Sequence, residues 1–206
     1  MDETESNQEI FLTKPFMPPL EEFNSYLERI WESRQLTNGA SIHDELEQAL
    51  CQYLGVKYIS LFSNGTLALI AALKVLDLKG EVITTPFTWI ATSQAIYWNN
   101  LKPVFVDINE DDLNINVTQI ENAISPNTSA ILPVHVFGNP CDMVSIDKLA
   151  RKYNLKIAYD AAQAFGVRKN QSSVCNFGHI SILSFHATKV FNCIEGGAVI
   201  CHNELT

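Results

Sequence analysis

Lys189 lies in the stretch SILSFHATKVFNCIEGG, residues 181–197, where Ser184, His186 and Thr188 crowd polar groups against Ile182, Leu183 and Phe185. A lysine amine held away from water is a usable Schiff-base nucleophile. Taken alone, Lys189 also reads as a solvated charge at the end of a strand. Its company raises the first reading: Ser184 before it, the pair Gly196 and Gly197 after it, and Asp160 upstream. Asp160 closes the apolar run KIAYD in KIAYDAAQAFG. At the carboxyl edge of a parallel sheet such a residue points into the usual ligand crevice, where a carboxylate can hold a proton on a ring nitrogen by a charge-assisted hydrogen bond. The other reading of Asp160 is a cap for a helix over AAQAF. Gln163, three residues on, falls at the same mouth.

SNGTLALIAAL supplies a third element. Asn64 and Gly65 make a turn, Thr66 caps the helix that follows, and a helix N-terminus offers free N–H groups and a positive dipole end to a phosphate. Plain capping explains the same residues, and the stretch lacks the GKT or GKS ending of a P-loop. An acid for a pyridine nitrogen, a lysine for an aldehyde and hydroxyls for a phosphate together describe pyridoxal phosphate. Trp89, in PFTWIATS, could cover a planar ring, although core packing is the commoner use of an aromatic. His135, in LPVHVFGNP, reads either as a ligand contact or as a satisfied structural histidine. His43, His135, His179, His186 and His202 form no HExxH, and no Cys/His cluster has zinc spacing, so no metal is expected.

These groups need a scaffold that brings them to one edge. Short apolar runs at 58–62, 81–85, 103–108, 129–134, 156–160, 180–185 and 197–201 read as strands. Helical stretches at 66–76, 88–97, 117–123 and 145–153 separate most of them. Strands alternating with helices imply an α/β domain whose mostly parallel sheet is covered on both faces. Two helices precede it: an amphipathic one over 20–32, with Phe23, Tyr26, Leu27, Ile30 and Trp31 on a stripe, and one over 42–53 ending near Gly55. Residues 1–15 read as a flexible arm, the KPFMPP stretch at 14–19 as extended and proline-stiffened, and 16–206 as the folded domain.

Composition is consistent with that picture. The chain has 206 residues, 47% of them hydrophobic, enough for a sizeable core. A formal charge of −9 argues against nucleic acid as the main partner. Five cysteines, an odd number with no CxxC pair, and no signal-peptide pattern suggest reduced thiols in the cytoplasm. No apolar run approaches a membrane span.

The ordered motifs LTNGASIHDELEQAL, SNGTLAL, TTPFTWIAT, PVFVDI, ILPVHVFGNPCD, YDAAQAFG and SFHATKVFNCIEGGAV resemble the sugar aminotransferases of the DegT/DnrJ/EryC1/StrS type. These are fold-type I pyridoxal-phosphate enzymes that act on nucleotide-linked ketosugars in surface-polysaccharide, O-antigen and antibiotic-sugar pathways. The likeness runs over 16–206. It implies the three-layer large domain of that fold, a homodimer in the full-length form, and L-glutamate as amino donor. By position it implies that Lys189 binds the cofactor aldehyde, Asp160 pairs with the ring nitrogen, Gln163 bonds near the ring hydroxyl, and Trp89 stacks on the ring. Gly65, Thr66 and Ser184 would hold the phosphate. SFHATKVFNCIEGG and PVHVFGNPCD look most like the enzymes that convert dTDP-4-keto-6-deoxy-D-glucose to dTDP-4-amino-4,6-dideoxy-D-glucose. Relatives continue into a smaller C-terminal domain, which is expected to be missing here. Two rival expectations follow: an inactive truncated member, or a related ketosugar dehydratase or epimerase. Against the latter, such relatives usually replace the lysine with histidine, whereas this chain keeps Lys189.

Overall fold

Strands buried on both faces need apolar side chains at every position, not at alternate ones. Val82 and Ile83, Ala130 to Leu132, and Ile157 to Tyr159 meet that demand, and all are essentially inaccessible to solvent. The computed structural model describes residue 11 and residues 13–202. In chain order its strands are β1 (Tyr58–Phe62), β2 (Glu81–Thr84), β3 (Lys102–Phe105), β4 (Thr128–Leu132), β5 (Lys156–Asp160), β6 (Arg168–Lys169), β7 (Ser172–Ser173), β8 (Ile180–Ser184) and β9 (Gly197–Cys201). The helices are α1 (Leu20–Ser33), α2 (Ser41–Leu54), α3 (Gly65–Val75), α4 (Ile90–Trp98), α5 (Val117–Ala123) and α6 (Met143–Tyr153).

Seven strands form one sheet in the order β1-β9-β8-β5-β4-β2-β3, while β6 and β7 make a small separate hairpin. Pairings are parallel from β3 through β2, β4 and β5 to β8. They are antiparallel on either side of β9. Reversing twice returns β1 to the common direction, so only β9 runs the other way. Because successive side chains on a strand face opposite sides, the sheet feeds two cores. Val82, Leu132, Ala158 and Ile182 pack with Ala68, Leu69 and Leu73 of α3 and Ala95 and Ile96 of α4. Ile83, Ile131, Tyr159 and Leu183 pack on the other side with Leu54 of α2, Ile120 of α5 and Ile146 of α6. This is the three-layer α/β fold that the strand and helix pattern implied.

Local rules set the element ends. The Asn64 side chain accepts the Leu67 N–H at 2.8 Å, so Asn64, not Thr66, caps α3; the helix begins one residue earlier than the sequence suggests. Asp142 likewise caps α6 through the Ser145 N–H and moves its start to Met143. The expected helix over 88–97 starts only at Ile90. The third strand, expected over 103–108, spans Lys102–Phe105, and Ile108 instead bridges Ile115. Helix α1 forms as expected, but its apolar stripe is uncovered: it has no buried residue, and Phe23, Tyr26 and Trp31 stand exposed. An Arg29–Glu45 ion pair ties it to α2. Most of the expected arm over 1–15 lies outside the described residues. No cysteine is in a disulfide, and among the described residues no helix is long and apolar enough to cross a membrane.

His135 is a structural histidine. Its Nδ1 accepts the Cys141 N–H at 3.1 Å, and its ring stacks on Tyr159 with centroids 4.8 Å apart. An accepting Nδ1 puts the proton of the neutral ring on Nε2, which is buried without a partner. Burial lowers its pKa to about 4, helped by the Lys169 charge. Above pH 6.5 the ring is neutral in both folded and unfolded chains and carries no penalty. As the pH falls toward 4, the unfolded chain takes up a proton that the folded one refuses, so stability drops. Between pH 7 and pH 5 this group alone is expected to remove about 2 kcal/mol. Urea unfolding of His135→Asn, which keeps an acceptor for Cys141, should lack that share of the acid sensitivity. Equal slopes in variant and parent would contradict it.

Candidate active site

Because β1, β2, β4, β5 and β8 run the same way, their carboxyl ends meet at one edge, where β9 begins. A cavity of 390 Å³ opens there, and Gly65, Thr66, Trp89, Asp160, Gln163, Ser184 and Lys189 all line it. Every residue that the sequence singled out for cofactor chemistry therefore converges on one pocket, from four separate stretches of chain.

The floor is a contact too close for side chains. A Cβ on Gly65 would lie 2.9 Å from the Cβ of Ser184, and one on Gly197 would lie 2.6 Å from both the Asn64 carbonyl carbon and the Gly65 nitrogen. Only hydrogen at these positions lets the first turn of α3 sit against the end of β8 and the start of β9. The N–H groups of Gly65 and Thr66 belong to that first turn, which has no intrahelical acceptor for them. With the Thr66 and Ser184 hydroxyls beside them, they form a small anion cradle at the positive end of a helix. Among the described residues Lys189 is the one lysine or arginine lining the cavity.

Asp160 ends β5 and is only 4% exposed. Its backbone is pinned to the segment after β4, donating to Pro133 and accepting from His135, while the next amide, Ala161, donates to Ile182 of β8. Its Oδ2 accepts the Thr92 hydroxyl at 2.7 Å and its Oδ1 accepts the Ala162 N–H at 3.1 Å. Burial raises its pKa; the two hydrogen bonds and the nearby Lys189 charge work against that rise. The residues after Asp160 form a turn rather than a helix, with Ala164 bonding back to Ala161, so the acid braces its own turn and still faces the cavity. Gln163 accepts the Phe137 N–H at 2.7 Å through Oε1. With that oxygen committed, its NH₂ is left to donate to a ligand oxygen.

Lys189 sits in the loop between β8 and β9, half-buried. The loop is closed at its base, where Phe185 donates to Gly196 at 2.8 Å and Cys193 donates to Phe185 at 3.0 Å. Phe185, 1% exposed, anchors it beneath, with Phe191 packed edge-on against its ring. Lys189 itself donates its N–H to the His186 carbonyl at 2.9 Å. Trp89, also on the cavity lining, occupies the N-cap of α4 and is 74% exposed, free to cover a ring.

Four contributors do more than the sequence reading gave them: Asn64 was read only as part of a turn, Gly197 only as one of a glycine pair, and Thr88 and Thr92 not at all. Asn64 caps α3, Gly197 permits the close approach, and Thr88 and Thr92 join hydroxyls at 2.8 Å behind Asp160. The i, i+4 threonine spacing in TWIAT was a visible signal for the last pair. Elsewhere, His43, Asp44 and Glu47 gather one ligand atom each within 4.8 Å. Glu47 already spends an oxygen on the Leu61 N–H, and this group lies outside the cavity lining.

The geometry has relatives. The DegT/DnrJ/EryC1/StrS aminotransferase family matches residues 20–206. A dTDP-4-amino-4,6-dideoxy-D-glucose transaminase of Shigella dysenteriae is 56% identical over 195 residues, covering 95% of this chain and 53% of that protein. The chain spans about half the length of the curated relatives it matches. Among solved structures, DesI in the presence of its TDP-sugar product superposes with a TM-score of 0.86 at 34% identity, over 93% of this chain and 49% of DesI. NtdA of Bacillus subtilis with bound cofactor PMP gives 0.83 at 33% identity, over 97% of this chain and 47% of NtdA.

The Gly197 contact makes a direct test of the cradle. Adding a methyl in Gly197→Ala forces the α3 terminus away from β8 and β9, an overpacking cost of about 1–3 kcal/mol. Affinity for pyridoxal phosphate, followed by absorbance titration, should fall about tenfold or more. An unchanged affinity would mean that the cradle does not hold the phosphate.

Proposed function

The chain belongs to the DegT/DnrJ/EryC1/StrS aminotransferase family, and on that premise we propose that it serves pyridoxal-phosphate-dependent amino transfer from L-glutamate to a nucleotide-linked ketosugar. The observation that carries this reading is the convergence of Lys189, Asp160 and the Gly65–Ser184 cradle on a single cavity. The residues fit the cofactor by shape and by charge. The glycine cradle takes a phosphate, a buried acid calls for a cationic partner, and the one lysine of the lining is close enough for its charge to act on Asp160. Residues 16–206 would form the cofactor-binding large domain.

In this proposal the bound cofactor supplies a carbonyl and an electron sink, and the chain supplies the rest. Lys189 would hold the cofactor through its carbonyl carbon. Its amine would serve as the base that takes up and returns the proton of the amino donor's carbon. Asp160 would hold a proton on the ring nitrogen by a charge-assisted hydrogen bond, the condition under which the cofactor serves as an electron sink. Gln163 would donate its NH₂ to the ring oxygen, and Trp89 would pack on the ring. Thr66, Ser184 and the first-turn amides grip the phosphate. The same groups, used in reverse order, would deliver the amino group to the ketosugar.

The finer substrate we propose is dTDP-4-keto-6-deoxy-D-glucose, giving dTDP-4-amino-4,6-dideoxy-D-glucose for O-antigen or other surface polysaccharide. Support comes from the 56% identity to a transaminase of that name. A cytoplasmic homodimer fits this role. With Lys189 committed to the cofactor, the described residues line the cavity with no other lysine or arginine to meet a sugar nucleotide's diphosphate, and a second copy is the natural source.

Reduction with borohydride after loading with pyridoxal phosphate should fix one cofactor per chain on Lys189, read by intact mass and peptide mapping, and Lys189→Ala should take none. Folded wild-type protein that yields no adduct at Lys189 would sink the proposal. With glutamate and the 4-ketosugar nucleotide, product analysis should show an amino sugar and 2-oxoglutarate; loss of water from the sugar instead would favour the dehydratase reading.

A further inference from the structure

Asp160 is held from behind by a chain of hydroxyls. Thr92 is fully buried in the first turn of α4, and a threonine in a helix ordinarily turns its hydroxyl back to a carbonyl of the preceding turn. Thr92 instead reaches across the fold to the Asp160 Oδ2 at 2.7 Å, a partner 68 positions away in sequence. An ionised carboxylate only accepts, so the Thr92 proton points at Asp160. That leaves the Thr92 oxygen to accept from Thr88, whose hydroxyl lies 2.8 Å away. The result is a one-way chain, Thr88 to Thr92 to Asp160, in which each bond polarises the next.

We propose that Thr92, backed by Thr88, is a positioning residue that locks the Asp160 carboxylate toward the cofactor's ring nitrogen; this rests on the cofactor reading above. The lock works by geometry. Thr92 holds one carboxylate oxygen and the Ala162 N–H holds the other at 3.1 Å, so the group cannot turn about its last bond without losing both. What remains available is the part of the carboxylate that borders the cavity. The lock also works by charge. Burial favours a neutral acid, and a neutral carboxyl would offer a proton to the ring nitrogen without keeping it there. Donors aimed at the oxygens favour the ionised form, and Thr92 is the foremost of those opposing burial. The same helical turn carries Trp89 at its cap, so one short segment sets both the ring's cover and the orientation of its acid.

The test separates this role from simple packing. Thr92→Val keeps shape and removes the hydroxyl; Thr92→Ser keeps the hydroxyl. Each 206-residue chain is titrated with pyridoxal phosphate and with its 1-deaza analogue, in which a carbon replaces the ring nitrogen. Thr92→Val should bind pyridoxal phosphate about tenfold more weakly than wild type, the size of one hydrogen bond to a charged group. It should bind the deaza analogue as wild type does, and Thr92→Ser should restore the difference. Thr88→Val should show the same selective loss to a smaller degree, and it keeps the comparison available if Thr92→Val does not fold. Equal weakening toward both ligands, or no weakening toward either, overturns the inference and leaves the cofactor reading standing. Failure of the wild-type chain to bind pyridoxal phosphate overturns both.

Discussion

Asp160 carries a carboxylate at the end of a central strand with 4% of its surface in contact with solvent, and the surrounding structure has to make that charge tolerable. An isolated ion so placed would neutralise itself. Here a hydroxyl, a backbone amide and a nearby ammonium oppose neutralisation, each arriving from a different element: α4, the turn after β5, and the loop before β9. The strand cannot retreat, because its backbone is bonded to Pro133 on one side and to Ile182 through Ala161 on the other. Burial thus raises the strength of any hydrogen bond that Asp160 offers, since little water competes for it.

The topology explains why such a site arises at this edge. Strands sharing one direction deliver their carboxyl ends, and the helix starts that follow them, to a common rim. Strand β9 runs against its neighbours, so it brings an N-terminal glycine to the same rim and closes the floor beneath α3. The loop between β8 and β9 is held at its base by main-chain bonds and by Phe185. Lys189 is therefore carried on a fastened loop rather than a free one. Precision comes from close approach at Gly65 and Gly197, where there is no room for a methyl group.

Much of this was legible in the sequence because it rests on local patterns. Unbroken apolar runs such as AIL at 130–132 mark strands covered on both sides, and helices between them mark a parallel sheet. Lys189, Asp160, Gln163, Trp89, Gly65, Thr66 and Ser184 stood out by residue type and spacing, and all seven line one cavity. What escaped was long-range. Thr92 is an ordinary helical threonine until β5 is laid beside it, and Gly197 looks like any glycine in a pair until α3 is docked on it. The capping role given to Thr66 belongs to Asn64, because an N-cap is decided by which side chain reaches the third amide. His135, open to a ligand role on sequence grounds, spends its ring on Cys141 and Tyr159. The stripe on α1 was legible as amphipathic, yet none of the described residues buries it.

The account stands or falls on whether the fold keeps Asp160 charged against a ligand's ring nitrogen. The most direct measurement is the nitrogen-15 chemical shift of ring-labelled pyridoxal phosphate bound to the protein at neutral pH. The account predicts the shift of a protonated pyridine nitrogen, moved toward the unprotonated value in Asp160→Asn. A shift typical of a bare pyridine nitrogen in the wild-type protein would contradict it.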